Sequence, residues 1–193
     1  MDWEKRYRSG DTPWDKGTAT PVLDEIFTHD PGLFQGRWLV PGCGAGYDAR
    51  RLAVRGCAVT AWDVSPLAVE LARSLDPEHR VDFHVENFLT ARGPAKFEGI
   101  FEHTFFCAIK PSRRSDYVAA AHSLLLPGGR LAGVFFIDPE MDEGEQGPPF
   151  GVAVAEMEEM WRAGGFEIND SWVPATGFEG RHGRERVMLL HRL

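Results

Sequence analysis

Hydrophobic residues along the 193-residue chain fall into short apolar runs that are separated by stretches of helical periodicity. Apolar runs bounded by turn residues predict strands, whereas apolar positions that recur every three or four residues predict amphipathic helices. The predicted strands are residues 37–41, 57–62, 81–85, 97–105 and 130–137, with a turn at 127–129, and the helices between them are residues 47–55, 65–75 and 113–126. This alternation favours a doubly wound α/β sheet whose strands are parallel and whose helices cover both faces.

The pattern changes on either side of this alternating region. A helix is predicted over residues 20–29, because Thr and Pro at its start are a favourable N-terminal pair. A second helix is predicted over 152–163, and two strands over 166–173 and 186–191 flank the glycine-rich loop 174–183. We expect these two strands to form an antiparallel hairpin. No linker-like or repetitive segment divides the chain, so one domain is predicted.

Three alternating glycines, Gly42, Gly44 and Gly46, lie between the first strand and the helix that follows it. Glycine allows positive φ and close approach of a ligand to the backbone, and the helix start offers unpaired N–H groups. The next apolar run, residues 58–63, ends in Asp63, at the position where an acid can accept hydrogen bonds from ribose hydroxyls. The G-x-G-x-G spacing differs from the G-x-G-x-x-G of dinucleotide enzymes. Together the loop and the acid predict a nucleoside-type ligand.

The first 19 residues lack clean periodicity but contain the aromatic residues Trp3, Tyr7 and Trp14. Aromatic side chains at these positions are expected to bury against other groups. Two interpretations stay open: an arm that packs on the domain for stability alone, and a lid that closes over the ligand.

The composition narrows the class of protein. A net charge of −8 argues against a nucleic-acid surface and against an anionic membrane surface. The polar start of the chain does not resemble a secretory signal, and no stretch has the length of a transmembrane helix. Cys43, Cys57 and Cys107 lack metal-ligand spacing and are expected to be free thiols of a reducing cytoplasm. No metal site is predicted, although an acidic run at residues 140–145 leaves one conceivable. We expect a monomer or a weak dimer.

Several motifs together resemble a known family. The glycine loop, Asp63 and the Leu-Pro-Gly-Gly segment 126–129 resemble class I methyltransferases that use S-adenosylmethionine, which implies a Rossmann-like, seven-stranded, mostly parallel sheet. Other motifs resemble the thiopurine methyltransferase superfamily, most of all its halide/thiol methyltransferase branch. These motifs are Thr12-Pro13-Trp14-Asp15 with Gly17 and Thr20-Pro21, Val40-Pro41-Gly42-Cys43-Gly44, Phe105-Phe106-Cys107-Ala108-Ile109 and Gly147-Pro148-Pro149-Phe150.

The resemblance implies S-adenosylmethionine as the methyl donor and S-adenosylhomocysteine as the product. It also implies which positions contact this cofactor. They are Gly42, Gly44 and Gly46 at the methionine part, Asp63 at the ribose hydroxyls, Val64 and Phe88 beside the adenine ring, Asn87 at the adenine edge, and Trp14 as a cover from the arm.

The acceptor end is implied by the same resemblance. Residues Glu102 to Thr104 would lie near the transferred methyl group, and Arg114 with the segment 147–150 would shape the acceptor pocket. Plant-like members tend to carry Asp-Tyr where this chain has Glu102-His103. This departure affects the choice of acceptor more than the reaction.

The chemistry leaves two roles open for His103. A soft anion, such as a thiolate, hydrosulfide, thiocyanate or halide, needs no general base, but a neutral thiol or amine does. His103 is the candidate base, since histidine changes its charge near neutral pH, and it could equally be a hydrogen-bonded residue at the end of a strand.

Cys107 could be read as a nucleophile, but a small apolar filler is the favoured interpretation. Alternatives for the whole protein are a methyltransferase for a larger aromatic thiol and a nucleotide-binding sensor without catalysis.

Overall fold

The computed structural model describes residues 1–139 and 147–193. A seven-stranded sheet with the order β3-β2-β1-β4-β5-β7-β6 forms its centre. Strands β1 to β5 are parallel, and β7 is antiparallel to both β5 and β6, as the sequence predicts. The strands are β1 Arg37–Pro41, β2 Ala58–Asp63, β3 Val81–Val85, β4 Phe97–His103, β5 Leu125–Phe136, β6 Phe166–Trp172 and β7 Glu185–Arg192.

Six α-helices surround the sheet in the described residues: α1 Trp3–Ser9, α2 Val22–His29, α3 Tyr47–Val54, α4 Pro66–Ser74, α5 Arg114–Leu124 and α6 Val154–Ala163. Successive side chains of a strand point to opposite faces of the sheet, so β1 contributes side chains to two hydrophobic cores. Trp38 and Val40 pack with α2, α3 and α4, whereas Leu39 packs with α5 and α6. None of the helices in the described ranges has the length and apolar character that crossing a bilayer requires.

Two elements differ from the sequence-based expectations. Residues 3–9 form helix α1, which the irregular apolar pattern did not predict; Asp2 caps it by accepting a hydrogen bond from the Lys5 N–H at 3.0 Å. The predicted turn at 127–129 lies inside β5, which already begins at Leu125. The register with β4 moves from Phe97 opposite Leu125 to Gly99 opposite Arg130, so the turn residues form a bulge in a continuing strand.

Candidate active site

A cavity of about 570 Å³ opens at the carboxyl ends of β1, β2 and β4. Open α/β sheets bind their ligands at this edge. Its walls are formed by the N-terminal arm, the glycine loop, the residues that follow β2, β3 and β4, the end of β5, the two prolines 148–149 and the loop that precedes β7. The volume lies within the range that is usual for small-molecule and cofactor sites.

The glycine loop is closely packed on both sides. Gly42 has a φ of 59°, and a Cβ atom there would lie 2.6 Å from the ring of Phe105. A Cβ atom on Gly44 would lie 3.0 Å from the Tyr7 hydroxyl. Both glycines line the cavity. Gly46 is not among the described residues that line it, because it caps α3 and faces Phe83, whose ring lies 2.7 Å from where its Cβ would be.

Asp63 is buried at the end of β2 and lines the cavity. Its Oδ2 accepts a hydrogen bond from the Gly44 N–H at 2.9 Å, and its Oδ1 accepts one from the Ser65 N–H at 2.9 Å. Burial raises the pKa of the Asp63 carboxyl, and these two N–H donors act against that rise. The Val64 N–H also lowers this pKa, and a carboxylate offers about four acceptor positions, so Asp63 can still accept a hydrogen bond from a ligand hydroxyl.

The predicted adenine-binding residues also line the cavity. Val64 is half exposed at 49%, whereas Phe88 is buried. The Asn87 side chain accepts a hydrogen bond from the Leu89 N–H at 3.1 Å, which occupies its oxygen and leaves its NH₂ group as a donor.

The N-terminal arm covers one side of the cavity with a cluster of aromatic rings. Trp14 lies edge-on to Trp3 and Tyr7, at centroid distances of 5.3 and 5.9 Å, and all three line the cavity. The Trp14 Nε1–H donates a hydrogen bond to the Tyr7 hydroxyl at 3.4 Å. Burial, together with the nearby Asp63, raises the pKa of Tyr7 well above its usual value, so this hydroxyl keeps its proton.

Glu4 attaches the arm to the start of α4. Its Oε2 accepts hydrogen bonds from the Ser65 hydroxyl at 2.5 Å and from the Leu67 N–H at 3.3 Å. A carboxylate is favourable at this position, because the first N–H groups of a helix lack partners within the helix. The arm is therefore held on the same segment that follows Asp63.

The opposite side of the cavity contains a charged network around His103. The Nδ1 atom of His103 lies 2.8 Å from Oδ2 of Asp48, and its Nε2 atom lies 3.2 Å from Nη1 of Arg181. The same Nη1 lies 3.3 Å from Oε1 of the buried Glu185. His103, Asp48 and Arg181 all line the cavity.

Arg181 is 8% exposed, and its guanidinium lies 5.1 Å from the ring centroid of Phe136 and 5.6 Å from that of Phe178. Sequence reasoning missed this cation. It is 78 residues from His103 in the chain, and no pattern in the loop 174–183 indicated that the loop folds back over the cavity.

Besides Gly46, two further expected site residues, Glu102 and Arg114, lie behind the wall of the cavity, and the expectation that Glu102 contacts the cofactor is corrected accordingly. Glu102 is fully buried and accepts hydrogen bonds from the N–H groups of Phe105 and Phe106 and from the Tyr117 hydroxyl, each at 3.1 Å. Burial raises its pKa to about 7. It holds the turn that follows β4 and does not face the cavity.

Arg114 is likewise not among the described cavity residues. Its Nη2 donates hydrogen bonds to the backbone oxygens of Phe150 and Gly151, at 3.2 and 2.8 Å, and its guanidinium lies 4.9 Å from the ring centroid of Phe106. Arg114 therefore anchors the segment whose Pro148 and Pro149 do line the cavity.

Cys107 is buried, and burial raises the pKa of its thiol to about 12, so it stays protonated at neutral pH. In the described part of the chain, no three His, Cys, Asp or Glu side chains are arranged to hold a metal ion. The acidic run 140–145 lies outside the described residues.

These residues fit S-adenosylmethionine. The cavity combines two glycines with no room for a side chain, a buried carboxylate with free acceptor positions, and an amide donor beside an apolar wall. These groups match an amino-acid moiety, a ribose and an adenine ring, respectively.

Comparison with known proteins supports the same assignment. The family model described as Thiopurine S-methyltransferase (TPMT) matches residues 1–189. The chain is 39% identical over 169 residues to the probable thiol methyltransferase 2 of Arabidopsis thaliana, covering 86% of this chain and 73% of that protein. It is 34% identical over 189 residues to thiocyanate methyltransferase 1 of Brassica oleracea, covering 96% and 82%. A thiopurine S-methyltransferase of Vibrio parahaemolyticus is 25% identical over 178 residues, covering 82% and 80%.

Solved structures confirm the fold. The 1,6-didemethyltoxoflavin-N1-methyltransferase of Burkholderia thailandensis, solved with S-adenosylhomocysteine bound, superimposes with a TM-score of 0.74 at 24% identity, covering 99% of this chain and 85% of that one. A TehB-like S-adenosylmethionine-dependent methyltransferase of Corynebacterium glutamicum gives a TM-score of 0.69 at 17% identity, covering 100% and 97%.

Proposed function

The chain belongs to the thiopurine S-methyltransferase family, and we propose that it methylates a small soft nucleophile: a thiol, hydrosulfide, thiocyanate or a halide. It is an S-adenosylmethionine-dependent methyltransferase. The acceptor's lone pair forms a bond to the methyl carbon while the bond from that carbon to the sulfonium sulfur breaks, and the electron pair stays on the sulfur of S-adenosylhomocysteine.

The observation that carries this proposal is the buried cation Arg181 at the end of the cavity. Its guanidinium lies 5.1 Å from the ring centroid of Phe136, 5.6 Å from that of Phe178 and 3.3 Å from the Glu185 carboxylate, where little water can screen charges. A cation in an aromatic, weakly hydrated wall suits a polarisable anion that gives up its water easily. Two relatives named above, a thiol and a thiocyanate methyltransferase, support the same class of acceptor.

The residues of the chain bind the cofactor and the acceptor, align them with each other and exclude water from the cavity. We assign Gly42 and Gly44 to the methionine part of the cofactor, Asp63 to its ribose hydroxyls, and Asn87 to the adenine edge. The displacement requires the nucleophile, the methyl carbon and the sulfur in line, with the reacting atoms about 3 to 3.5 Å apart. Water competes for such a site, so a closed cavity favours the transfer.

The arm, residues 1–19, is proposed to act as the lid. Trp3, Tyr7 and Trp14 all line the cavity, and Glu4 fastens the arm to α4 beside Asp63. An arm that packed only for stability would not need to present three aromatic rings to the ligand.

A larger aromatic thiol is the second candidate acceptor. Phe105 and Phe178 line the cavity and could stack on such a ring. The Vibrio relative carries the thiopurine S-methyltransferase name, which supports this alternative.

The test is the release of S-adenosylhomocysteine with iodide, thiocyanate, hydrosulfide and an aromatic thiol as acceptors. Selective turnover of the anions supports the leading proposal, and turnover of the aromatic thiol alone supports the second. Tight binding of S-adenosylmethionine without turnover of any acceptor would contradict both and favour a sensor.

We further propose a cytoplasmic protein that is a monomer or a weak dimer and that binds neither nucleic acid nor membrane. The three free cysteines fit a reducing compartment, and the net charge of −8 disfavours anionic polymers and surfaces. Size-exclusion chromatography with light scattering at two protein concentrations tests the oligomeric state, and a stable higher oligomer would contradict it.

A further inference from the structure

Both ring nitrogens of His103 are already engaged by charged neighbours. Nδ1 lies 2.8 Å from a carboxylate oxygen of Asp48, and Nε2 lies 3.2 Å from a guanidinium nitrogen of Arg181. Asp48 is fixed from its other side, because its Oδ1 accepts a hydrogen bond from the Thr20 N–H at 2.8 Å. Arg181 is fixed by Glu185 at 3.3 Å. The ring therefore lies in a continuous chain of partners.

The hydrogen-bonding capacities of these partners determine where the ring carries its proton. An ionised carboxylate only accepts hydrogen bonds, so Nδ1 must donate to Asp48. A guanidinium only donates, so Nε2 must accept from Arg181. The tautomer that satisfies both partners carries its proton on Nδ1, and in that tautomer the lone pair that a general base would use is occupied.

Two other charged groups face His103. Glu185 lies 3.9 Å from Nε2 and contacts Arg181 through Oε1, while its Oε2 is buried without a hydrogen-bond partner among the described residues. Burial raises the pKa of the Glu185 carboxyl, and the nearby Arg181 acts against that rise. Glu102, the neighbouring residue, accepts hydrogen bonds from two backbone N–H groups and from the Tyr117 hydroxyl. None of these contacts requires a proton to leave or enter the His103 ring during the reaction.

We propose that His103 is a positioning residue that holds Arg181 toward the acceptor, and that the acceptor binds as an anion already deprotonated in solution. This inference rests on the proposed function and deepens it, since it limits thiol acceptors to their thiolate form. A thiol that is mostly ionised at the working pH is therefore the preferred class of substrate.

Two substitutions separate positioning from base catalysis. His103→Gln keeps one donor and one acceptor on a planar group but cannot take up a proton, whereas His103→Leu removes both contacts. His84→Leu, at an exposed histidine of the edge strand β3, is the matched control. Each variant is assayed with iodide, which has no proton to lose, and with a thiol.

If His103 positions Arg181, His103→Leu raises the KM of iodide and of the thiol alike, by about tenfold or more, because an aligned charged hydrogen bond is lost. His103→Gln restores most of the activity, and binding of S-adenosylmethionine stays unchanged in all variants. If His103 is a base, both variants lose thiol turnover and keep iodide turnover, and that result overturns the proposal.

The pH profile provides a second readout. The midpoint of kcat/KM should follow the ionisation of each thiol in a series, whereas the iodide profile reports the protein alone, including the raised pKa of Glu102. A midpoint that stays constant across the thiols would show a protein base and would contradict the inference.

The ring's proton can be located without any turnover. In protein labelled with ¹⁵N-histidine, the His103 signals, assigned from their loss in His103→Gln, should show a proton on Nδ1 and none on Nε2 at the pH of the assay. A proton on Nε2 or a cationic ring overturns the inference even in an active enzyme. Absence of turnover together with the expected spectrum would count against the proposed function alone.

Discussion

Glu102→Gln should stabilise the protein at alkaline pH. The buried carboxyl of Glu102 ionises there without water or a cationic partner to stabilise its charge, so its ionisation lowers the free energy of unfolding. The side chain is fully buried, and burial raises its pKa from an ordinary 4.5 to about 7. The folded state therefore binds this proton more tightly than the unfolded state. The stability that the protonated group contributes is fully present below about pH 4.5 and is lost as the pH rises through about 7.

The size of this loss follows from the two pKa values. Each pH unit between them corresponds to about 1.4 kcal/mol, so ionised Glu102 costs about 3 kcal/mol at pH 8.5. A glutamine avoids this cost and can keep one hydrogen bond to each of the three partners, with the Phe106 N–H, now shared by both carboxylate oxygens, bonded to the amide oxygen alone. Its oxygen can accept from the Phe105 and Phe106 N–H groups, and its NH₂ group can donate to the Tyr117 hydroxyl.

The assay is urea unfolding of wild type and Glu102→Gln at pH 5, 7 and 8.5. We expect similar free energies of unfolding at pH 5 and an advantage for the variant that grows to about 3 kcal/mol at pH 8.5. Glu98→Gln is the control. Arg37 lowers the pKa of the exposed Glu98 to about 2, so its removal should cost at most about 1 kcal/mol and show no alkaline gain. A pH-independent difference for Glu102→Gln, or destabilisation at pH 8.5, would refute the reasoning.

Three further perturbations test the site. Asp63→Ala should weaken S-adenosylmethionine binding by about tenfold or more in calorimetry, since charged hydrogen bonds to the ribose are lost, and an unchanged affinity would contradict the ribose assignment. Glu4→Gln should loosen the arm and speed its cleavage by protease near residues 10–17; equal cleavage rates with and without the substitution would argue against an anchor at Ser65. Glu25 accepts hydrogen bonds from Trp172, Ala175 and Thr176 and so holds the loop that carries Arg181. Glu25→Gln should therefore raise the KM of the acceptor severalfold and leave the affinity for the cofactor constant. A loss of cofactor affinity would contradict this role.

The sheet could be predicted from local pattern because its strands are short apolar runs and its helices are separated by clear turn residues. Asp63, Asn87 and Trp14 were also identified from sequence, and each of them lines the cavity. Their positions follow from the ends of strands or from motifs, which are local properties.

The residues whose positions the sequence did not predict correctly are placed by packing between segments that are distant in the chain. Glu102 stands at the end of a strand, where a ligand contact is expected, yet the next turn folds back so that its N–H groups point at the carboxylate. Arg114 begins a helix whose start turns toward the backbone of Phe150, away from the cavity. Arg181 reaches the cavity only because the loop that carries it folds back over the cavity, and no local sequence pattern predicts how that loop folds.

Strand order has a consequence for how the protein is made. β7 follows β6 in the chain but lies between β5 and β6, so β6 has no partner in the sheet until β7 has been synthesised. Glu185, at the start of β7, also holds Arg181. On the ribosome, the glycine loop, Asp63 and Asn87 are therefore synthesised well before the strand that fixes Arg181 at the other side of the cavity.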